Sequence, residues 1–126
     1  MTPFADLSEL ARLRIWDGVA GRVIGGTRLT LAFIELDGSS VVPEHSHPHE
    51  QIGVCISGSL AFDIGGEQRE VGPGGTWAIP GGVPHEVRVG PEGAAVIEAW
   101  SPQRDDWSGL EELEQSPPPW PVGPTR

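Results

Sequence analysis

The chain has one cysteine and no tyrosine, and it has few basic residues. Cys55 has no second cysteine to pair with, so an internal disulfide is excluded. Without tyrosine, the chain has no phenol to act as a radical carrier or as an acid-base group. Arginine and lysine total 8 against 18 acidic residues, and the formal charge of -10 would repel nucleic acid phosphates and an anionic membrane surface. We therefore expect neither nucleic acid nor a membrane as a partner.

Long apolar runs are also missing from the sequence. No stretch has the length of a membrane-spanning helix, and no basic-plus-apolar leader stands at the N-terminus. These absences predict a soluble, cytoplasmic protein. The 126 residues are the size of one ordinary domain, long enough to bury a core but too short for two sizeable cores.

Glycine and proline, with 18 and 13 residues, separate short apolar runs instead of forming one low-complexity block. Glycine reaches positive φ freely and proline ends strand pairing, so these breaks predict turns between the runs. The runs themselves have the length and composition of strands: 22–24, 28–36, 51–57, 60–64, 76–79, 86–89 and 94–100. Many short strands with turns between them predict an all-β fold, either a barrel or a double-sheet jelly roll.

The two ends of the chain differ from this pattern. Apolar residues recur in steps of three over residues 4–13, which predicts a short N-terminal helix or an extended arm. An acidic segment at 107–114 has helical potential, and we expect the proline-rich end to be extended, docked through Trp120, or disordered. The predicted organisation is an arm at 1–14, a barrel at 15–107 and a tail at 108–126.

Three of the four histidines lie within five positions, in the stretch HSHPH. His45 and His47 are two residues apart, so in a strand both imidazoles face one side and supply half of a transition-metal site. Gln51 would begin the returning strand, where its side-chain carbonyl is a candidate third ligand. A turn rich in proline and glycine precedes His85 and could bring it to the same cavity. The alternatives are surface or turn histidines and a glutamine that only begins a strand.

The spacing of these residues resembles the two cupin motifs. The first, G-x(5)-H-x-H-x(3,4)-E-x(6)-G, matches His45, His47, Gln51 and Gly58, and the second, G-x(5)-P-x-G-x(2)-H-x(3)-N, matches Gly74, Pro80, Gly82 and His85. Gly38 lies one residue too far from His45, and Val89 stands where the second motif has asparagine. The resemblance implies a cupin, a double-stranded β-helix or jelly-roll barrel with a metal inside its mouth.

The departure that bears on chemistry is Gln51, because the first motif has glutamate at this position. Three neutral histidines and a glutamate would leave a divalent ion one net positive charge, whereas with glutamine the ion keeps two. Such a centre is a stronger electrophile and a better host for an anion, although an amide oxygen binds a metal more weakly than a carboxylate does. We therefore expect Gln51 to be a ligand that leaves positive charge for the substrate.

A closer resemblance covers residues 15–107. The stretches IWDGV, LTLAFIELDG, VPEHSHPHEQIG, IGGE, WAIPGGVPHEV and WSPQRDDW are similar to small cupins of the pectin-degradation uronate group, which have the same His, His, Gln, His set. An enzyme of that group opens the ring of an unsaturated uronate to a linear keto acid, and an Asp-x-Phe before Ser-Pro contributes. Glu98 and Trp100 stand at those positions here, so the resemblance implies an acid-base role for Glu98. Periodicity alone allows Glu98 to face either the cavity or solvent.

Three further residues are candidates for the substrate pocket. Trp100 shares a strand face with Glu98. His49 has the same parity as His47, but Pro48 interrupts the strand, which favours a turn position over a proton-transfer role at the rim. The guanidinium of Arg104 matches a substrate carboxylate, with a structural salt bridge as the alternative.

Together these patterns predict a metal-dependent enzyme. One divalent transition metal, which could be zinc, nickel, iron or manganese, would act as a Lewis acid on a small oxygenated, uronate-like substrate in a tautomerisation, ring opening or isomerisation. The alternatives are an iron-dependent dioxygenase and a non-catalytic module that binds a sugar or another small molecule. Small barrels commonly cover their edges by exchanging or pairing N-terminal strands, so we also expect a homodimer, with 15–36 as the pairing segment.

Overall fold

The computed structural model describes residues 2–121, which form antiparallel strands for most of their length. Within this range the strands are β1 (Arg12–Trp16), β2 (Val19–Gly25), β3 (Thr30–Leu36), β4 (Val41–His45), β5 (Glu50–Ile64), β6 (Glu67–Val71), β7 (Thr76–Ile79), β8 (His85–Ser101) and β9 (Glu112–Leu113). Two 3-10 helices, Leu7–Glu9 and Asp105–Trp107, accompany them. The prediction of an all-β fold is confirmed.

Two long strands, β5 and β8, run antiparallel to each other along their whole length. Both bend, so that each takes part in the two facing layers of strands, here called the two walls of the barrel. The first part of β8 pairs with β4 and with the end of β5, whereas its second part pairs with β3 and with the beginning of β5. The second wall continues from β3 to β2, β1 and β9, while β6 and β7 border the two parts of β5. The result is the double-sheet barrel predicted from the sequence, with its core between the walls.

Both long strands bend where the sequence predicts turns. The SGS and GPEG stretches lie inside β5 and β8, and register shifts beside Gly58 mark bulges. Gly58 and Gly93 both have φ near +81°, and a Cβ on Gly58 would overlap the carbonyl of Gly93. Glycine is required because the two backbones touch at this bend. The prediction that these stretches end strands is wrong, because a bulge lets each strand continue into the other wall.

The N-terminal helix is a single 3-10 turn. Asp6 caps it, and its side chain accepts a hydrogen bond from the backbone N–H of Ser8 at 3.0 Å. Strand β1 then begins at Arg12, and Leu13 pairs with Gly21 of β2. The apolar steps of three therefore do not mark a longer helix, because the end of that segment belongs to the sheet.

The C-terminal segment lies along the sheet instead of forming the helix expected at 107–114. Strand β9 pairs with β1, through Arg12 with Leu113 and Leu13 with Glu112. This pairing occupies the free edge of β1 within a single chain. Part of this acidic segment, for which helical potential was predicted, forms a strand because the unpaired edge of β1 offers it backbone hydrogen-bond partners.

Two contacts hold the segment after β9. Arg22 is buried in β2, and its guanidinium donates hydrogen bonds to Glu35, to the side chain of Gln115 and to the carbonyl of Ser116. Trp120 stacks on Phe33 with 5.9 Å between ring centroids. The tail is therefore docked on the outer face of β2 and β3 as far as Trp120, and the rest of the predicted tail, 122–126, lies outside the described residues.

The core lies between the walls and consists mainly of side chains from alternate strand positions. It contains Val19, Ala32, Ile34, Leu36, Val42, Cys55, Leu60, Phe62, Val71, Trp77, Ile79, Val87, Val89, Val96 and Trp100. Burial raises the pKa of the Cys55 thiol, so Cys55 is an inert core residue. Residues 2–121 include no helix that is both long and apolar enough to cross a bilayer.

Candidate metal centre

Three histidines converge at one end of the cavity between the two walls. His45 ends β4 and His85 begins β8, and these two residues pair across the adjacent strands. His47 follows in the link to β5. The ring centroid of His85 lies 4.3 Å from that of His45 and 4.9 Å from that of His47. One ring nitrogen of each histidine lies within 4.8 Å of the other two, a spacing that suits a shared metal ion.

The glycine-rich turn before His85 is what brings the two motifs together. The N–H of Gly82 donates a hydrogen bond to the carbonyl of His47 at 2.8 Å. A Cβ on Gly81 would overlap the carbonyl of Pro48, so only glycine allows this close approach. The second motif is therefore docked on the first through backbone contacts.

Each histidine ring is oriented in the same way, with Nδ1 at hydrogen-bond distance from a backbone carbonyl. The pairs are His45 with Pro43 at 2.8 Å, His47 with His49 at 3.0 Å and His85 with Val83 at 2.9 Å. A carbonyl only accepts, so Nδ1 carries the hydrogen and Nε2 keeps its lone pair. Hydrogen bonds of this kind fix the tautomer of histidines that bind metals.

Gln51 presents an oxygen to the same point. Its Oε1 lies 3.0 Å from Nε2 of His47. Both atoms are acceptors once Nδ1 of His47 carries the ring hydrogen, so a cation between them would satisfy both lone pairs. Nε2 of His85 is buried and has no hydrogen-bond partner within residues 2–121. Three imidazole nitrogens and an amide oxygen fit a divalent transition metal.

The surroundings keep two of these imidazoles neutral. Burial lowers the pKa of His85 to about 4, and His45, His47 and Arg104 add to this effect. Burial and then the charge of Arg104 lower the pKa of His47 below its usual value. Only a neutral imidazole binds a metal, so at neutral pH a metal would not have to displace a proton from these rings.

Glu98 lies inside the barrel, only 8 % exposed, and lines the cavity together with His45 and His85. Its Oε2 accepts hydrogen bonds from Nε2 of Gln51 and from Nε1 of Trp77, the latter at 2.8 Å. Burial raises the pKa of Glu98, although the hydrogen bonds from Gln51 and Trp77 act in the opposite direction. One carboxylate oxygen is thus anchored, and the other makes no hydrogen bond to a described residue.

Trp77 is a residue of the site that sequence patterns mark only as core. Trp77, Gly53 and Glu98 are opposite one another on β7, β5 and β8. Because Gly53 has no side chain, the indole of Trp77 lies over it, and a Cβ at that position would be 2.5 Å from the ring. The indole reaches Glu98 across this gap. A glycine inside a strand, opposite an aromatic residue, is the signal that could have revealed the contact.

Replacing Gly53 by alanine should displace Trp77 from Glu98. We expect the Gly53→Ala variant to lose about 1–3 kcal/mol of unfolding free energy, because the added methyl group overlaps a buried ring. Urea denaturation followed by tryptophan fluorescence measures this loss. Gly72→Ala is the matched control, since a Cβ at Gly72 meets no atom within 4 Å. An unchanged denaturation midpoint and emission spectrum in Gly53→Ala would show that the position of the indole does not depend on the absence of a side chain at Gly53.

Arg104 and Trp100 also line this cavity. The guanidinium of Arg104 donates to both carboxylate oxygens of Asp106, at 3.0 and 2.9 Å, and its central carbon lies 4.4 Å from the ring centroid of Trp107. Arg104 thus makes a structural salt bridge while remaining next to the cavity. Nε1 of Trp100 is buried and has no hydrogen-bond partner among the described residues.

His49 lies in a bend between β4 and β5, as its neighbour Pro48 predicts. It is buried, and its ring lies 5.4 Å from that of His47, measured between centroids. Its ring nitrogen also comes within 4.8 Å of carboxylate oxygens of Asp105 and Asp106. The clearest contribution of His49 to the site is through its backbone, because its carbonyl orients His47.

Comparison with known proteins agrees with this geometry. Residues 32–100, more than half of the chain, match the family model described as Cupin domain. The chain is a cupin. The matched residues include His45, His47, Gln51 and His85, so the cupin predicted from the two motifs is confirmed. The fold and the histidine cluster together support a metal-binding cupin.

Several solved structures superpose on most of the chain. KdgF from Halomonas sp. is 25% identical with a TM-score of 0.76, and the match covers 84% of this chain and 98% of KdgF. An RmlC-like cupin from Shewanella frigidimarina is 21% identical with a TM-score of 0.78, covering 84% and 96% of the two chains. A variant of oxalate decarboxylase from Bacillus subtilis is 22% identical with a TM-score of 0.69, covering 78% of this chain and 29% of that one. No curated sequence matches the chain.

Proposed function

We propose that this cupin is a metal-dependent enzyme that moves a proton within a small oxygenated acid, in a tautomerisation, ring opening or isomerisation. The observation that carries the proposal is the series of contacts from His47 through Gln51 to Glu98. One amide faces the histidine cluster with its oxygen and binds a buried carboxylate with its nitrogen. Groups suited to hold a metal and a group suited to move a proton are therefore joined directly.

His45, His47, His85 and Gln51 would hold the metal, and zinc, nickel, iron and manganese all suit this donor set. A divalent metal bound there would polarise oxygens of the substrate. All four donors are neutral, so the site favours an anionic substrate such as a carboxylate. The solved structure of KdgF and the resemblance to the pectin-degradation uronate cupins support acids of the uronate and keto acid classes.

Glu98 would be the proton carrier. Gln51 and Trp77 hold its Oε2 in place, while Oε1 is free to take a proton from the carbon next to a carbonyl group. The electron pair of the broken C–H bond moves to the carbonyl oxygen, and Glu98 returns the proton at another atom. Burial raises the pKa of Glu98 above that of an exposed glutamate, which makes its carboxylate a stronger base.

Exchange of carbon-bound hydrogen with solvent tests this function. Protein stripped with a chelator and reloaded with one of the four metals is incubated in deuterated buffer with keto acids and uronates, and proton NMR follows the loss of signal. We expect hydrogen exchange at the carbon next to the carbonyl to be at least about 100-fold faster with the reloaded protein than with the stripped protein. Oxygen consumption dependent on ferrous iron would instead indicate a dioxygenase, and binding without exchange would indicate a non-catalytic module. The homodimer and the cytoplasmic location stay predictions.

A further inference from the structure

The cavity that adjoins the candidate metal centre, lined by three of its four donors, is polar at one end only. Its volume is about 300 Å³. The charged, imidazole and amide side chains that line it are His45, Gln51, His85, Glu98, Arg104 and Asp106. The remaining lining consists of aliphatic and aromatic side chains. The cavity is thus larger than the metal centre requires, and the additional space is apolar.

Strand register shows where that apolar space lies. His85 and Val87 are alternate residues of β8 on the inward face, and Val87 is opposite Phe62 of β5. In the other part of β8, Glu98 and Val96 also share the inward face, and Val96 is the nearer of the two to the bend at Gly93. The apolar side chains of both walls therefore lie between the polar groups and the bend. A ligand bound at the polar end would extend its other end into this apolar chamber.

A uronate does not suit an apolar chamber, because it carries a hydroxyl group on almost every carbon. Each hydroxyl buried there without a hydrogen-bond partner would weaken binding by about 10-fold or more. An aliphatic or aromatic group would instead gain affinity from leaving water. Within residues 2–121, the charged, imidazole and amide side chains of the lining can bind the oxygens of a head group near the metal centre.

The volume sets the size of the apolar part. A cavity of about 150 Å³ accommodates one benzene molecule, so about 300 Å³ accommodates a ligand of roughly 12 non-hydrogen atoms. We propose that the site takes a 2-oxo acid, or a similar enolisable acid, whose carbonyl and carboxylate lie at the polar end and whose apolar substituent of about six carbons fills the chamber. This inference rests on the proposed function and narrows its substrate class from uronates to acids with an apolar body.

Isothermal titration calorimetry on the zinc-loaded protein tests the inference with three acids. Pyruvate has the head group alone, phenylpyruvate adds an aromatic ring, and galacturonate has about the size of phenylpyruvate but is covered with hydroxyls. We expect phenylpyruvate to bind about 10- to 100-fold more tightly than pyruvate, because its ring is buried. Galacturonate should bind no more tightly than pyruvate. The heat of binding is measured without turnover, so the result does not depend on activity.

Filling the chamber tests its location. Val87→Phe should weaken phenylpyruvate binding at least about 10-fold while pyruvate binding changes less than about 3-fold, because only the longer ligand needs the space. Val96→Ile, which adds one methylene, should weaken phenylpyruvate binding in the same way but to a smaller extent. This variant provides the test if Val87→Phe does not fold. Ile97→Phe is the matched control, since Ile97 follows Val96 on the opposite face of β8 and is not part of the cavity lining.

The outcomes separate this inference from the proposed function. Zinc-dependent binding of pyruvate with no gain for phenylpyruvate, or tighter binding of galacturonate, would overturn the apolar-body inference and leave the proposed function standing. Equal loss of phenylpyruvate affinity in the Val87→Phe and Ile97→Phe variants would overturn the assignment of the chamber. Absence of binding for all three acids with zinc, and with nickel, iron and manganese in its place, would overturn the proposed function, and this inference with it.

Discussion

The His47→Ala variant should contain almost no metal, whereas the parent protein should contain about one equivalent of a divalent transition metal. His47 presents a neutral Nε2 that faces Oε1 of Gln51, and its Nδ1 is fixed by a backbone carbonyl. Partners of metal ligands already contribute about 10- to 100-fold to affinity, so loss of a ligand itself should cost at least about 100-fold. Elemental analysis of protein purified without chelator or added metal measures the metal content.

Two companion variants sharpen this experiment. Gln51→Ala should keep part of the metal, because the amide oxygen is the weakest of the four donors and its removal leaves three imidazoles. His49→Ala is the matched control, since it also removes an imidazole but keeps the backbone carbonyl that orients His47. Full metal content in His47→Ala, or a parent that neither contains nor takes up metal, would contradict the assignment of this centre.

The Glu98→Gln variant should exchange the carbon-bound hydrogen of the substrate with solvent about 100- to 10 000-fold more slowly than the parent protein. This factor is the usual contribution of a general acid-base group. A glutamine at position 98 keeps an oxygen that can accept the hydrogen bond from Trp77, but it cannot take a proton from the substrate. Metal content should stay at the parent value because Glu98 faces the nitrogen of Gln51 and not its oxygen. Deuterium exchange by NMR and elemental analysis of the same sample measure the two quantities.

A glutamate on the outer side of the same strand provides the comparison for Glu98. Glu86 lies on β8 next to His85, forms a surface salt bridge with Arg88 and is not part of the cavity lining. Glu86→Gln should therefore keep the parent exchange rate. If Glu98→Gln also kept that rate, another group would have to carry the proton. The buried carboxylate of Glu98 would then no longer support a catalytic role for this site.

Part of the strand pattern could be predicted from the sequence, because strand composition is a local property, but the predicted runs leave out β1, β4 and β6. The run at 76–79 became β7 with the predicted bounds. The bends in β5 and β8 could not be predicted, since the same glycines would also suit turns, and only contact between Gly58 and Gly93 distinguishes a bulge. The acidic segment that became β9 was missed because its partner, β1, is about 100 residues away in the chain.

The reason for Gln51 illustrates the same limit within the site. The sequence shows only that an amide replaces the glutamate of the motif, and the net charge of a metal centre gives one explanation. The structure adds a second, because Nε2 of Gln51 donates to Glu98. A glutamate at position 51 has no hydrogen to donate when ionised and would face the carboxylate of Glu98. The amide of Gln51 offers oxygen to the histidine cluster and hydrogen to Glu98 while staying neutral.

The sequence by itself determined the all-β class, the cupin family and the set of candidate ligands, because each depends on residue types at short spacings. His45 and His47 are two residues apart, and the turn that carries His85 is specified by its own prolines and glycines. Only the tertiary structure decided that Glu98 faces the cavity and that Trp77 and Gln51 hold it. The side chains of Glu98 and Gln51 are 47 positions apart and those of Glu98 and Trp77 are 21 apart. Such contacts depend on the register of β5, β7 and β8, since a shift of one residue would turn each side chain to the other face.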